Sequence, residues 1–321
     1  MNVRRRLIPA ALASALGLGA LTACSSDSAA SGNTDKFDVV ASFYPMAFLA
    51  EQIGGGHANV TSLTEPGQEP HDLEISTQQR AQLEEADAAL YLKGLQPAVD
   101  EAVGQTGIKT KIDAASLTHL EDHGTGGHAH EGEEAHAEEE GHAEEEEHAR
   151  DPHVWLDPVK YAEIAQGVGK AFEKADPDHA ADYKKNTEAL VKKLNGLNGD
   201  FENGLKNRKS KVFFTNHAAF GYLAERYGLT QEAISGIDPE SEPSGARVRE
   251  LQQEAKADGV TTVFYETLVS DKTAKTLARD ANLKTDVLDP LEGITDKSRG
   301  DDYFQVMESN LKALQAALGA K

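Results

Sequence analysis

Short apolar runs of four or five residues recur along this chain, separated by longer stretches whose apolar residues fall at helical spacing. That alternation marks an α/β architecture. The β-rich runs predict strands near 37–42, 59–63, 88–92 and 109–113, and a second set near 211–215, 232–236, 261–265 and 285–288. Pro45 suits an early helical position and Gly54, Gly55 and Gly56 a helix end, so a helix is expected between the first two strands. Ser76 followed by Gln79 reads as a capping box for a helix running to Glu85. Further helices are expected near 218–227, 244–257 and 272–281. Between the two sets lies a proline-free stretch, 178–207, with Tyr183, Ala189, Leu190, Leu194, Leu197 and Phe201 close to helical spacing. It predicts one long helix, although Gly196, Gly199 and Gly204 each cost about 1 kcal/mol relative to Ala and call for packing support or a kink. The expected organisation is two α/β lobes, 37–177 and 208–321, bridged by one long rigid helix at 178–207. Such a rod permits small lobe adjustments more readily than wide closure.

The N-terminus departs from this pattern. Arg4, Arg5 and Arg6 precede an apolar run, Leu7 to Leu21, that ends in Leu-Thr-Ala-Cys. The run is too short to span a bilayer and reads as a signal peptide, residues 1–23. Its resemblance to a lipobox implies cleavage after Ala23, a lipid on Cys24, and an extracytoplasmic protein anchored to the outer face of the cell membrane. The paired arginines leave both Sec and twin-arginine export open. Residues 24–36, rich in Ser, Ala, Gly and Asn, form an expected flexible tether. Cys24 is the sole cysteine, which excludes an intrachain disulfide and a cysteine-based zinc site.

The formal charge is −22, which disfavours nucleic acid and anionic lipid as partners and suits a cationic ligand. Much of it is local: Glu121 to His148 holds twelve acidic residues and six histidines with no Lys or Arg. Composition of this kind buries too little to offset its conformational entropy, so 119–150 is expected to be a disordered insertion in the first lobe. His123, His128, His130, His136, His142 and His148 then form an auxiliary, low-affinity metal chelator. The last four recur every six residues, about 600° apart on a helix, so a flexible chelator fits better than a helical face. The alternative is a solvated acidic spacer.

Three other histidines stand in distinctive settings: His71 in Glu-Pro-His-Asp-Leu-Glu, His153 in Asp-Pro-His-Val-Trp-Leu-Asp-Pro, and His217 in Thr-Asn-His-Ala-Ala-Phe-Gly-Tyr. Each follows a strand or precedes a helix, and ligands of open α/β sheets sit beyond the carboxyl ends of strands. Asp289, ending the strand at 285–288, is a fourth candidate, with Glu69 or water as the alternative fourth ligand. Glu266 is placed to orient a ligand imidazole, and Trp155 to pack beneath the site. His57 and His179 read as helix-end and surface histidines. Taken singly these signals are weak, because a loop histidine is usually a surface or hydrogen-bonded residue.

Taken together, the lipobox, Pro-His-x-x-Glu at Pro70–Glu74, the octapeptide at Asp151–Pro158, Asn-His-x-x-Phe-Gly-Tyr at Asn216–Tyr222 and Leu-Asp-Pro-Leu at Leu288–Leu291 strongly resemble the substrate-binding lipoproteins of zinc and manganese ABC importers, solute-binding family 9 or cluster A-I. The resemblance implies two α/β lobes with the metal between them, held by His71 and His153 from the first and His217 and Asp289 from the second. It also implies a monomeric receptor, not an enzyme, that passes transported Zn²⁺ to an ABC permease driven by its ATPase. Three imidazoles and a carboxylate suit four-coordinate zinc, whereas manganese prefers more oxygen ligands. Manganese receptors of the family carry a carboxylate where this chain has His217. A manganese receptor and a surface metal buffer or adhesin are the alternatives; a secreted zinc hydrolase is disfavoured because the helical His-Glu-x-x-His motif is absent.

Overall fold

The computed structural model describes residues 36–123 and 150–321. The leader, the tether with Cys24, and His128, His130, His136, His142 and His148 lie outside the described residues. Two four-stranded parallel sheets are built in the same way. The first comprises β1 (Phe37–Ala41), β2 (Ala58–Ser62), β3 (Ala88–Tyr91) and β4 (Thr110–Asp113), in spatial order β2-β1-β3-β4. The second comprises β5 (Val212–Thr215), β6 (Thr230–Ala233), β7 (Thr262–Tyr265) and β8 (Lys284–Val287), in order β6-β5-β7-β8. Each order reverses between its first and third strands, which opens a crevice at the carboxyl ends of the strands.

Alternation along the strands sorts side chains between two cores. Phe37, Val39 and Ala41 face a large shared core, whereas Val40 joins a small cluster with Leu63, Leu83 and Val103. Phe213 and Phe264 likewise face the shared core, while Phe214 and Val263 pack with Leu251 and Leu277. The helices are α1 (Tyr44–Gly54), α2 (Thr77–Glu85), α3 (Pro97–Gln105), α4 (Pro158–Ala175), α5 (Ala180–Leu205), α6 (Gly221–Arg226), α7 (Gly245–Ala257), α8 (Lys272–Ala281) and α9 (Tyr303–Leu318). The capping box forms as expected: the Ser76 hydroxyl accepts from the Gln79 amide, and the Gln79 side chain accepts from the Ser76 amide.

The expected bridging helix is α5, 26 residues without interruption. Its buried stripe of Tyr183, Leu190, Leu194, Leu197, Phe201 and Leu205 lies in the shared core, which draws on both sheets. Of its glycines only Gly204 is packed, where a Cβ would lie 2.6 Å from Gln315 Nε2 of α9; a Cβ at Gly196 or Gly199 would meet nothing within 4 Å. The crossing with α4 is especially close, since a Cβ on Gly169 would lie 2.2 Å from Thr187 Oγ1.

Three helices were not expected from the pattern: α3, α4 and α9. Two carried legible start signals, because Asp157 and Asp302 accept from the amides of Val159 and Gln305 as N-caps. The sixth strand lies at 230–233 rather than 232–236, since pairing with β5 sets its register. Residues 234–236 instead bond to the turn after β5, where the Ser235 amide donates to the Asn216 carbonyl. The root of the expected disordered insertion is ordered: Asp151 N donates to Glu121 O, and Lys160 Nζ to His119 O. Among the described residues no helix is long and apolar enough to cross a membrane.

Candidate metal centre

Four side chains converge where the two sheets' strand ends meet. His71 comes from the irregular segment after β2, His153 from the segment leading into α4, His217 from the turn two residues past β5, and Glu292 from the turn beyond β8. One ligand atom from each lies within 4.8 Å of all the others. Glu292 Oε1 is 3.2 Å from His71 Nε2, 3.2 Å from His153 Nε2 and 3.3 Å from His217 Nε2, and the last two nitrogens are 3.3 Å apart. Four of the six edges are therefore those of a tetrahedron whose centre lies about 2.0 Å from each corner, the length of a zinc–nitrogen or zinc–carboxylate bond, and the remaining two, from His71 to the other imidazoles, are within 4.8 Å. His153, His217 and Glu292 are fully buried, and only His71 retains slight exposure.

Each buried imidazole is aimed by a carboxylate. His153 Nδ1 is 2.8 Å from Asp151 Oδ1, which also accepts from the His153 amide. His217 Nδ1 is 2.6 Å from Glu266 Oε1, as the sequence suggested. Donation from Nδ1–H to these carboxylates leaves Nε2 of both rings turned to the common centre. Trp155 packs against the site as expected: it is fully buried, its ring lies 5.2 Å from that of His153, and its Nε1 donates to the Pro290 carbonyl at 2.7 Å.

The octapeptide at Asp151 thereby divides its labour. Asp151 orients His153 and Trp155 fills the floor. Asp157 caps α4 with one oxygen and receives Arg226 of α6 on the other, at 2.6 and 2.8 Å.

The carboxylate of the cluster is Glu292, not Asp289. Asp289 is buried too, but Oδ1 accepts from the Leu291 amide at 2.9 Å and Oδ2 from the Thr267 hydroxyl at 3.2 Å. Those bonds shape the turn Asp-Pro-Leu-Glu, in which Leu291 adopts φ of 59°. A left-handed conformation at a leucine costs about 1–2 kcal/mol and is held by its surroundings. The turn leads from Asp289 to Glu292, three residues on, whose carboxylate reaches the cluster. The strand-end rule pointed to Asp289; Glu292 lies within the irregular turn beyond it, where no strand or helix boundary marks it in the sequence. Glu69 stands beside the cluster, with Oε2 accepting from the Asp72 amide and Oε1 buried without a partner. Burial and the Glu292 charge push its carboxyl up to about 7. His123, expected in the auxiliary chelator, has both ring nitrogens engaged, with Asp151 at 2.8 Å and Glu225 at 2.9 Å. His57 and His179 stack on each other away from the cluster, each beside an aspartate.

Burial would lower the pKa of His217, but the carboxylates of Glu266 and Glu292 outweigh it and hold it well above the ordinary histidine value. His153 is raised in the same way, burial being outweighed by Asp151 and Glu292. Burial alone would raise Glu292, yet the charge of His217 and bonds from the three imidazoles keep it well below the carboxylate range. A histidine pKa raised on folding contributes stability in full below the unfolded value of about 6.5, and that contribution fades as pH rises through the folded pKa. Metal binding has the opposite dependence, because the ion must displace those protons. Calorimetric titration with zinc at pH 7 in buffers of differing ionisation enthalpy should therefore show net proton release, with affinity falling as pH drops. Buffer-independent heats would contradict this account.

Residues 39–317 match the family described as "ZnuA: Zinc-uptake complex component A periplasmic", and the chain belongs to that family of metal-ion receptors. It is 35% identical over 321 residues to the high-affinity zinc uptake system protein ZnuA of Bacillus subtilis, covering 95% of this chain and 98% of that protein. It is 37% identical over 310 residues to the zinc-binding lipoprotein AdcA of Streptococcus pneumoniae, covering 92% of this chain but only 58% of that longer relative. Among solved structures, the Zn(II)-bound ZnuA-like domain of the pneumococcal AdcA matches with a TM-score of 0.72 and 34% identity, over 88% of this chain and 99% of that one. The laminin-binding protein Lmb of Streptococcus agalactiae, described as having adhesin and metal-transporting activity, matches at 0.75 and 29%, over 88% and 100%.

Proposed function

We propose that this chain is an extracytoplasmic receptor that captures Zn²⁺ through His71, His153, His217 and Glu292 and delivers it to an ABC permease and its ATPase. The carrying observation is the buried cluster of three imidazoles and one carboxylate, whose ligand atoms lie within 4.8 Å of one another with Glu292 Oε1 3.2–3.3 Å from each nitrogen. Four protein ligands close the coordination shell, whereas a catalytic zinc keeps one position for water or substrate, which favours capture over hydrolysis. One carboxylate among three nitrogens also favours zinc over manganese, which prefers oxygen-rich, higher-coordinate sites. The names of the relatives and the Ala-Cys pair at residues 23–24 support a lipid anchor on Cys24 that holds the receptor at the outer face of the membrane.

Competitive titration with zinc and manganese tests this reading. One tight zinc site should persist when residues 124–148 are deleted, with extra weak sites only in the full chain. Manganese outcompeting zinc, or loss of the tight site with the deletion, would refute it. Within the same experiment Glu292→Ala should cost far more zinc affinity than Asp289→Asn, and the reverse order would return the ligand role to Asp289.

A further inference from the structure

The metal ligands occupy one side of Asp151, and its other side opens onto an arrangement that spans both lobes. The segments 119–123 and 150–153 run together, joined by the bond from Asp151 N to Glu121 O at 3.1 Å. Helix α6 of the second lobe closes over them. The Tyr222 hydroxyl accepts from Glu121 N at 2.8 Å and donates to Asp151 O at 2.8 Å. Beneath it sits His123, edge-on to the Tyr222 ring with centroids 4.4 Å apart. His123 Nδ1 meets Asp151 Oδ2 at 2.8 Å and Nε2 meets Glu225 Oε2 on α6 at 2.9 Å. Carboxylates only accept, so both ring nitrogens donate. Gly221 is what permits the approach: a Cβ there would lie 2.5 Å from His123 Cγ and 2.7 Å from Asp151 Oδ2.

Resting on the receptor reading above, we propose that His123 is a positioning residue for the zinc site, which it serves by holding Asp151 in the orientation that aims His153 at the ion. Asp151 is 1% exposed and spends Oδ1 on the ring and amide of His153. His123 is the partner of Oδ2. Without it a buried carboxylate oxygen loses its donor, and the group is free to rotate toward other partners. Glu225 anchors the far ring nitrogen, so the second lobe takes part in placing a ligand of the first. The Gly-Tyr pair of Asn-His-x-x-Phe-Gly-Tyr and the leading Asp of the octapeptide thus meet in one clamp. This role differs from direct chelation, since neither ring nitrogen of His123 is left to bind a metal.

The test compares zinc affinity, by competition with a chromophoric chelator, and the visible absorption of the Co²⁺-loaded protein. Both are read in the full chain and in His123→Ala, His123→Asn and Glu225→Ala, alongside melting of the metal-free proteins. Loss of an outer-shell partner typically costs 10–100-fold in metal affinity. His123→Ala should weaken zinc binding about tenfold and alter the Co²⁺ bands, at the lower end of that range because His123 acts through Asp151. In His123→Asn the amide nitrogen replaces Nδ1–H and should restore most of both. Glu225 is exposed, so Glu225→Ala opens no buried cavity and should shift affinity the same way by less. Wild-type affinity and spectrum in His123→Ala would overturn the proposal. So would equal losses in the Ala and Asn variants that merely follow a fall in metal-free melting temperature. Failure of the unaltered chain to bind zinc tightly would be a different result, overturning the receptor reading and this inference with it.

Discussion

His153→Ala should lower zinc affinity by more than about 100-fold, exceeding the loss expected from removing an outer-shell partner. That corresponds to at least about 2.7 kcal/mol of binding free energy. The ring is fully buried, with Nδ1 held by Asp151 and Nε2 within 3.3 Å of two other ligand atoms, so its loss removes one corner of the cluster. The fold should survive, because the residues packed around the ring belong to a core that extends far beyond it. Competition titration and a melting curve of the metal-free variant check both halves. A variant that binds zinc as tightly as the parent would remove His153 from the centre.

Trp155→Ala is expected to destabilise the metal-free protein by about 4 kcal/mol, in the range for deleting a buried aromatic. Against a typical total of 5–15 kcal/mol, that is a large fraction. The indole packs edge-on against Phe43 at 5.0 Å, and its Nε1 donates to the Pro290 carbonyl. The Tyr303 hydroxyl in turn donates to the Trp155 carbonyl. Trp155 is two residues from His153, and Pro290 two residues before Glu292, so the side chain ties together the segments that deliver two ligands. Zinc affinity should fall with stability, and Trp155→Phe should lie between, keeping ring packing without the N–H donor. Urea unfolding of the metal-free proteins with parallel zinc titration measures both. Unchanged unfolding in the alanine variant would deny Trp155 this role.

Sequence pattern carried the architecture well where one side-chain period dominated. Every strand of both sheets was anticipated, because alternate residues face different cores, and α5 was anticipated from its apolar stripe. What escaped were elements whose evidence lay in their caps or their pairing. Helices α4 and α9 begin at Asp157 and Asp302, and the register of β6 depends on contacts with β5 that no single strand encodes. The three histidines of the cluster were legible as residues flanking strands and helices. Glu292 was not, because its placement depends on the left-handed Leu291 and on hydrogen bonds to Asp289, which are tertiary facts. The same holds for His123: composition grouped it with the acidic insertion, whereas Asp151, Tyr222 and Glu225 give it a fixed place.

The uninterrupted core around α5 bears on how the two halves are related. Side chains from β1 and β3 at one end, from β5 and β7 at the other, and from α4, α5 and α9 between them form a single buried cluster. Each half keeps a small cluster of its own on the outer face of its sheet, but the largest interior is shared, so the sheets are parts of one folding unit rather than modules joined by a linker. Cutting the chain within α5 would leave each fragment with an open apolar wall, and the buried ligands from opposite halves would have no frame to bring them together. Residues that never approach the ion, such as Leu194 and Phe201, thereby help fix the distance across which it is held.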